Sequence, residues 1–442
     1  MKNLNLSVIG LGKLGSPMAA VFAKKGFNVI GLDVNPEFVS KINAGTAPLQ
    51  ETQLQEYVNS GKANLRATTD YDDAIKNSDI TFIILPTPSD DSGFFSNDYV
   101  LSSVTKIGAA LRSKTGYHLV VITSTTMPGA TNGIIRETLE KSSGRKLGPN
   151  LGLCYSPEFI ALGSVIKNML NPDFILIGES DRQAGDVLQS IYSQTCENTP
   201  LIKRMTFTSA ELTKLCVNTF VTTKISFANM VAEYCEHLEG AEAEIVMDAV
   251  GSDSRIGKKY LQGAIGYGGP CFPRDNRAFY ALGQEFGLQA DLAKASDTIN
   301  NHQVVRLKKT INQIAQNKHT VAILGLAYKP ETDVAEESQG VLLANILCND
   351  GYSVTVFDPM AVLNSKKLLD NQINIAQDLE DALKNNEVIV ITTPWAQFSA
   401  LPDLIDATRA RIIIDPWRVI NPEQLPETVL LITMGRTLQS KP

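Results

Sequence analysis

"LSVIGLGKLGSPMAAVFAKKGFNVIGLD", residues 6–33, decides the fold. An apolar run, "LSVIG", reads as a short buried strand, and "GLGKLG" as a glycine turn. "SPMAAVFAKKG" then reads as an apolar helix that Gly26 ends, and "NVIGLD" as a second strand finishing at Asp33. Strand, turn, helix and strand in ~30 residues imply a parallel pair joined by a right-handed crossover. Further strand candidates at 79–85, 118–123 and 151–155 alternate with helical patterns. A doubly wound parallel sheet over about the first 200 residues follows.

From Phe207 to about Glu239 the pattern changes. Apolar residues recur at helical spacing without proline, and Thr208 and Glu211 have capping-box spacing at the start. One long helix is expected, with shorter helical segments up to about residue 317. The last third echoes the first: "VAILGLAYK" (321–329) parallels "LSVIGLGKLG", and "EDALKNNEVIVITTPW" (380–395) parallels "DDAIKNSDITFIILPTP" (72–88). The fold class expected is α/β: two Rossmann-like doubly wound domains, 1–205 and 301–442, joined by a helical middle domain, 206–300. The second copy keeps Gly325 but has Ala327 where the first has Gly12, so it lacks a full phosphate fingerprint.

Gly10, Gly12 and Gly15 form G-x-G-x-x-G between a strand and a helix, with the acidic Asp33 ending the next strand. That context points to a dinucleotide. Gly10 permits the turn, Gly12 lets backbone approach a pyrophosphate, and Gly15 lets helix and strand pack. The helix N-terminus faces the phosphates. Asp33 would accept hydrogen bonds from a ribose and repel a 2′-phosphate, so the cofactor expected is NAD.

The net charge of −7 argues against nucleic acid as the main partner. No apolar run approaches the ~18 residues that span a bilayer, and "MKNLNLSVIG" lacks the pattern of a secretory leader. The six cysteines are scattered without metal-ligand spacing, so no metal and a reduced, cytoplasmic setting are expected. His118, His237, His302 and His319 have no obvious carboxylate partner and read as surface or packing residues.

Cys271 differs from the other cysteines. In "GAIGYGGPCFPRD" (263–275) it stands between glycines and a proline, four residues before Asp275. A thiolate near a nicotinamide can attack an aldehyde, lose hydride and leave a thioester that water hydrolyses. Gly268 and Gly269 are expected to give the substrate close access. Lys214 and Asn218, four apart and so on one helix face, could stabilise an oxyanion.

These residues carry a resemblance. "GLGKLG", "LPTP" (85–88), "STTMPGAT" (124–131), "SPEF" (156–159), "AELTKLCVN" (210–218), "SRIG" (254–257), "GYGGPCFPRD" (266–275), "GLAYKPETD" (325–333) and "TTPW" (392–395) occur in the order found in nucleotide-sugar 6-dehydrogenases. The chain resembles that family over nearly its whole length. The resemblance implies oxidation of a sugar 6-CH₂OH to a carboxylate with two NAD, UDP-glucose being the default, GDP-mannose or a UDP-N-acetylhexosamine the alternatives. It implies Cys271 as nucleophile, Lys214 and Asn218 as oxyanion stabilisers, Asp275 and Thr125 with a water in proton removal, and Glu158 in thioester hydrolysis. The cofactor would lie along Gly10, Leu11, Gly12, Lys13, Leu14, Gly15, Asp33, Thr87 and Thr125. The substrate would meet Glu158, Phe159, Lys214, Asn218, Tyr267 and Gly268, with Lys329 and Arg418 on its diphosphate. Arg255 would reach a partner subunit's substrate in a homodimer built on the long helix.

The chain departs from the family at Leu162 and Glu336, where a second glutamate and an arginine are usual, and at Phe174, where arginine is frequent. A β-hydroxyacid dehydrogenase would suit "GLGKLGSPMA" but needs no cysteine. A non-catalytic homologue that binds NAD or a nucleotide sugar would suit Leu162 and Glu336.

Overall fold

The computed structural model describes residues 4–315, 318–409 and 411–437. The outer limits expected for the terminal domains, and the end of the helical stretch near 317, lie outside the described residues. Compactness divides the chain into two units, Met1–Cys216 and Val217–Pro442.

The first unit holds an eight-stranded sheet: β1 Asn5–Ile9, β2 Asn28–Leu32, β3 Leu65–Thr68, β4 Ile80–Ile83, β5 His118–Ile122, β6 Leu151–Tyr155, β7 Phe174–Glu179 and β8 Leu201–Met205. The order is β3-β2-β1-β4-β5-β6-β7-β8. β1, β4, β5 and β6 are buried along nearly their whole length, which is why they read as continuous apolar runs. Neighbours are parallel except β6 and β7, which pair antiparallel through Cys154 with Glu179 and Tyr155 with Gly178. The doubly wound sheet is thus parallel but for this one pair. The sheet reverses between β1 and β4, and this switch point is where the glycine loop sits.

The second unit has six parallel strands: β9 Thr320–Leu324, β10 Ser353–Phe357, β11 Asn374–Ile375, β12 Val388–Ile391, β13 Arg411–Ile414 and β14 Val429–Ile432. Their order, β11-β10-β9-β12-β13-β14, repeats that of the first six strands of the other sheet. The helices Ala243–Ser252, Phe272–Glu285 and Asp291–Ala315 precede it. The architecture is therefore α/β, with two Rossmann-like sheets and a helical middle region.

The long helix runs Phe207–His237 and crosses from one unit to the other. Its capping differs from the expectation. Thr206, not Thr208, caps it, accepting from Ser209 N at 3.4 Å. Glu211 turns away from the helix end, and its buried carboxylate accepts from Thr126 Oγ1 at 3.0 Å, Gly129 N at 2.7 Å and Thr131 N at 2.8 Å. It thereby pins the segment 126–131 to the helix. Burial raises its pKa despite those three bonds. Among the described residues no helix is long and apolar enough to cross a membrane.

Candidate active site

In the first unit, the fingerprint glycines sort by what a side chain would meet. Gly10 has φ +92°, and a Cβ there would come within 2.2 Å of Ile84 O. A Cβ on Gly15 would lie 1.7 Å from Gly10 O, so the helix Gly15–Lys24 touches the turn. At Gly12 a Cβ would meet nothing within 4 Å. Open space at Gly12 beside a helix N-terminus is the cradle a pyrophosphate needs. Leu11, Lys13 and Leu14 complete this loop. Asp33 accepts from Leu11 N at 2.6 Å through Oδ2 and from Asn35 N at 2.8 Å through Oδ1, so the carboxylate is fixed at the end of β2. Both oxygens keep a lone pair for ribose hydroxyls. These residues fit a dinucleotide.

Past the ends of β4 and β5, Thr87 donates to Thr125 O at 2.7 Å, which brings the two threonines together. Lys214, on the long helix, donates to the carbonyl of Glu158 at 2.7 Å and lies 4.6 Å from the Phe159 ring centroid. Phe159 stacks on Phe174 with centroids 4.7 Å apart, so the phenylalanine that departs from the family pattern forms an aromatic pair. Glu158 is half-buried, but its Oε1 is shut off from solvent with no hydrogen-bond partner among the described residues. Burial pushes its carboxyl up to about 7, against the opposing pull of the Lys214 charge and a bond from the Tyr192 hydroxyl. Tyr192 in turn pairs with Ser156 Oγ at 2.9 Å. Nothing in the sequence marked Tyr192, which reaches this site from a helix 34 residues further on.

Leu162 turns its side chain toward the apolar core of this unit. The loop it occupies is held instead by Glu51, which accepts from Gly163 N at 2.8 Å and Val165 N at 3.0 Å. Among the described residues no group of three or more His, Cys, Asp or Glu could hold a metal.

In the second unit, Cys271 caps the helix Phe272–Glu285 and is exposed, which among the other cysteines only Cys216 matches. As the residue that precedes the helix it stands at the positive end of the helix dipole, where negative charge is stabilised. Asp275, one turn on, is fully buried. Its Oδ2 accepts from Asn218 Nδ2 at 2.6 Å and its Oδ1 from Arg274 Nη2 at 2.8 Å. The Asn218 amide is thus aimed by a carboxylate that is itself neutralised by Arg274, a partner the sequence reading missed. Tyr267 is buried and donates to Asp297 at 2.8 Å, so its hydroxyl is committed inward.

The glycines before Cys271 also answer a demand from within the chain. A Cβ on Gly268 would come within 2.3 Å of Glu337 O, and one on Gly269, at φ +82°, within 2.6 Å of the Tyr328 ring. Gly269 N donates to Glu336 O at 2.9 Å. The loop lacks side chains there because the chain's own segment 328–337 lies against it. Glu336 therefore contributes its carbonyl, while its side chain is exposed.

Lys329, five residues past β9, is half-buried. Arg418, at φ +59°, donates to Met434 O at 2.9 Å and pairs with Glu244 at 3.3 Å. Arg255 is 87% exposed and forks onto its neighbour Asp253 at 2.6 Å. The histidines stay apart from these groups. His118 is buried between Thr81 at 2.8 Å and Lys114 at 3.0 Å, and burial holds it neutral. His302 does have a carboxylate nearby, Glu233 at 3.4 Å, contrary to the sequence reading.

Three descriptions cover this architecture in order. The UDP-glucose/GDP-mannose dehydrogenase family's NAD binding domain matches residues 4–196, its central domain 208–302 and its UDP binding domain 322–422. The chain belongs to this family. It is 36% identical over 422 residues to the UDP-glucose 6-dehydrogenase of Haloferax volcanii, covering 94% of this chain and 97% of that one. It is 31% identical to the GDP-mannose 6-dehydrogenase of Pseudomonas putida, covering 93% and 95%. Among solved structures, the UDP-glucose dehydrogenase of Pyrobaculum islandicum superposes with a TM-score of 0.88 at 32% identity, covering 97% of each chain. The chain is thus an NAD-dependent nucleotide-sugar dehydrogenase, and the open loop at Gly12 belongs to its NAD domain.

Proposed function

We propose that the chain oxidises UDP-glucose at C6 from alcohol to carboxylate through a covalent bond to Cys271. The observation that carries this is the exposed Cys271 at a helix N-terminus with Asp275 and Asn218 bonded one turn away. The UDP-glucose preference is supported by the relatives with that name at 36% and 32% identity. GDP-mannose is the second reading, supported by the relative at 31%.

NAD, when bound, takes one hydride from C6 in each of two oxidations. The chain's residues do the rest. In the first oxidation the alcohol loses a proton to a water held by Thr125 and Asp275. The Cys271 thiolate then adds to the aldehyde carbon, and the Lys214 ammonium and Asn218 amide stabilise the resulting oxyanion. Loss of the second hydride leaves a thioester. Water, deprotonated by Glu158, attacks it and frees the carboxylate and the thiolate. Glu158 is supported as that base because a carboxyl near 7 can take a proton at neutral pH. Overall, one CH₂OH, one water and two NAD give one carboxylate, two NADH and three protons.

Thr87 and Thr125 line the nicotinamide end of the cofactor and Asp33 its adenosine end. Phe159, Tyr267 and Gly268 line the sugar, with Lys329 and Arg418 on the diphosphate. Arg418 would exchange its contact with Glu244 for phosphate. The division into domains 1–205, 206–300 and 301–442 belongs to the same reading, as does a cytoplasmic setting. So does a homodimer built on the long helix. Phe220 and Tyr234, each 63% exposed, and Phe227, 43% exposed, recur every seven residues there and form a stripe in need of cover. Arg255 would reach the partner's substrate.

The test follows 340 nm absorbance with NAD and a panel of nucleotide sugars. Two NADH per UDP-glucose, with turnover abolished in Cys271→Ser, is the expected result. One NADH per sugar, or full turnover in the serine variant, would overturn the covalent route.

A further inference from the structure

The segment from Gly263 to Cys271 carries no strand or helix, so no ladder fixes it in place. Two buried asparagines do. Asn229, on the long helix, accepts from Ala264 N at 2.9 Å and donates to Ile265 O at 3.0 Å. Asn300, on the helix Asp291–Ala315, accepts from Tyr267 N at 2.7 Å and donates to Tyr267 O at 3.0 Å. Each side-chain amide uses its donor and its acceptor as a neighbouring strand's peptide would. Glycines make room for both contacts. A Cβ on Gly263 would lie 2.6 Å from Ala228 O, and one on Gly266 2.7 Å from Asn300 Oδ1.

We propose that Asn229 and Asn300 are positioning residues that fix the loop leading to Cys271, and so fix its sulfur relative to Asn218 and Asp275. Asn218 and Asn229 stand on the same helix, so one rigid rod carries both the amide at the reacting end and the clamp at the loop's start. A second row of bonds keeps the register between this rod and the cysteine helix: Thr222 donates to Asn276 at 3.0 Å, and Asn276 donates to Asp297 at 2.9 Å. Without the Asn300 amide, Tyr267 N loses its partner and Tyr267 O keeps only the long bond from Gln339 Nε2 at 3.4 Å, which lets the loop move to recover them. A displacement of ~1 Å at a reacting centre costs on the order of 100-fold in rate. The inference rests on Cys271 being the nucleophile.

The test compares Asn229→Ala and Asn300→Ala with wild type in full-length chain. Four quantities are read: kcat, KM for the nucleotide sugar, Kd for NAD, and the rate at which iodoacetamide alkylates Cys271, followed on its tryptic peptide. The expected result is kcat lower by roughly 10- to 100-fold. KM should stay within about threefold and NAD affinity should be unchanged, because the glycine loop belongs to the other unit. The Cys271 alkylation rate should change at least about fivefold. A kcat within twofold overturns the proposal, as does a lower kcat with unaltered alkylation. A joint collapse of NAD affinity and KM would mean general loosening and also overturns it. Should Asn300→Ala fail to fold, Asn300→Asp keeps the acceptor for Tyr267 N and sets an oxygen against Tyr267 O, and the same readings apply. Full turnover in Cys271→Ser would instead overturn the nucleophile reading. Alkylation of Cys271 in the asparagine variants would still report whether the loop moved.

Discussion

Replacing Glu158 by glutamine tests whether burial governs this carboxyl. Burial raises it from an ordinary 4.5 to about 7, so the folded chain holds a proton that the unfolded chain has released. Unfolding free energy therefore falls as pH rises from 4.5 to about 7 and is lowest above that window. At about 1.36 kcal/mol per pH unit, the whole interval is worth about 3 kcal/mol. Some solvent reaches the half-buried side chain, so about 2 kcal/mol is the safer figure. Glutamine has the shape of the protonated acid and never ionises. It also leaves the Lys214 bond intact, because that bond goes to the Glu158 carbonyl. The variant's advantage over wild type should grow by about 1 kcal/mol between about pH 5.5 and about pH 8, or about 2–4 °C in the melting temperature of this unit. Calorimetry is the assay of choice. Both tryptophans, Trp395 and Trp417, lie in the second unit, so their fluorescence would report the wrong part of the chain. An advantage that stays constant across this pH range would refute the reasoning.

The fingerprint glycines should separate cleanly. Gly15→Ala, with its Cβ 1.7 Å from Gly10 O, should lose about 1–3 kcal/mol or more in denaturant titration. Gly12→Ala, facing open space, should stay within about 1 kcal/mol of wild type while its Kd for NAD rises at least about tenfold. Tyr192→Phe removes a bond that lowers the Glu158 pKa, so the acid limb of its pH–rate profile should move to higher pH. An unmoved limb would mean the Tyr192 hydroxyl does not act on Glu158. Phe227→Glu puts a charge in the exposed stripe of the long helix, so on the proposed homodimer sedimentation should give a lower mass for the variant than for wild type at equal concentration, and equal masses would count against a dimer built on this stripe.

The first β-α-β unit was legible because each glycine there answers a local demand. The apolar runs of β4, β5 and β6 were legible because both faces of those strands are buried. In the first sheet three strands went unread. β3 alternates and is short and β8 is a partly exposed edge strand, so neither gives a continuous apolar run, whereas β7 does carry one in "FILIG" (174–178) and was legible in principle. The cysteine loop shows the limit more sharply. Its glycines were noticed, but their reason lies in residues 328–337, in Asn229 and in Asn300, all distant in sequence. A side-chain amide that clamps a backbone leaves no periodic trace. Tyr192 and Glu51 escaped for the same cause.

The repeat within the chain shows how one topology can keep a shape and lose a site. In the second sheet a Cβ on Gly340 would lie 2.0 Å from Gly325 O, the same contact that Gly15 makes with Gly10. The spacing has grown from five residues to fifteen, and the added segment is the one that lies against the cysteine loop. Asp358 ends β10 as Asp33 ends β2. Its Oδ2 accepts from Leu326 N at 2.7 Å, Ala327 N at 2.9 Å and Trp395 Nε1 at 3.1 Å, and its Oδ1 from Met360 N and Ala361 N at 2.8 and 2.7 Å. Asp33 accepts from two backbone groups and has capacity left, whereas Asp358 is buried and filled by the protein's own donors. A ribose would have to displace bonds already made, at about 1 kcal/mol or more each. The missing glycine at Ala327 was the visible sign of this change. The saturated carboxylate is its physical content, and it explains why the second sheet can hold the cysteine loop in place while leaving dinucleotide binding to the first.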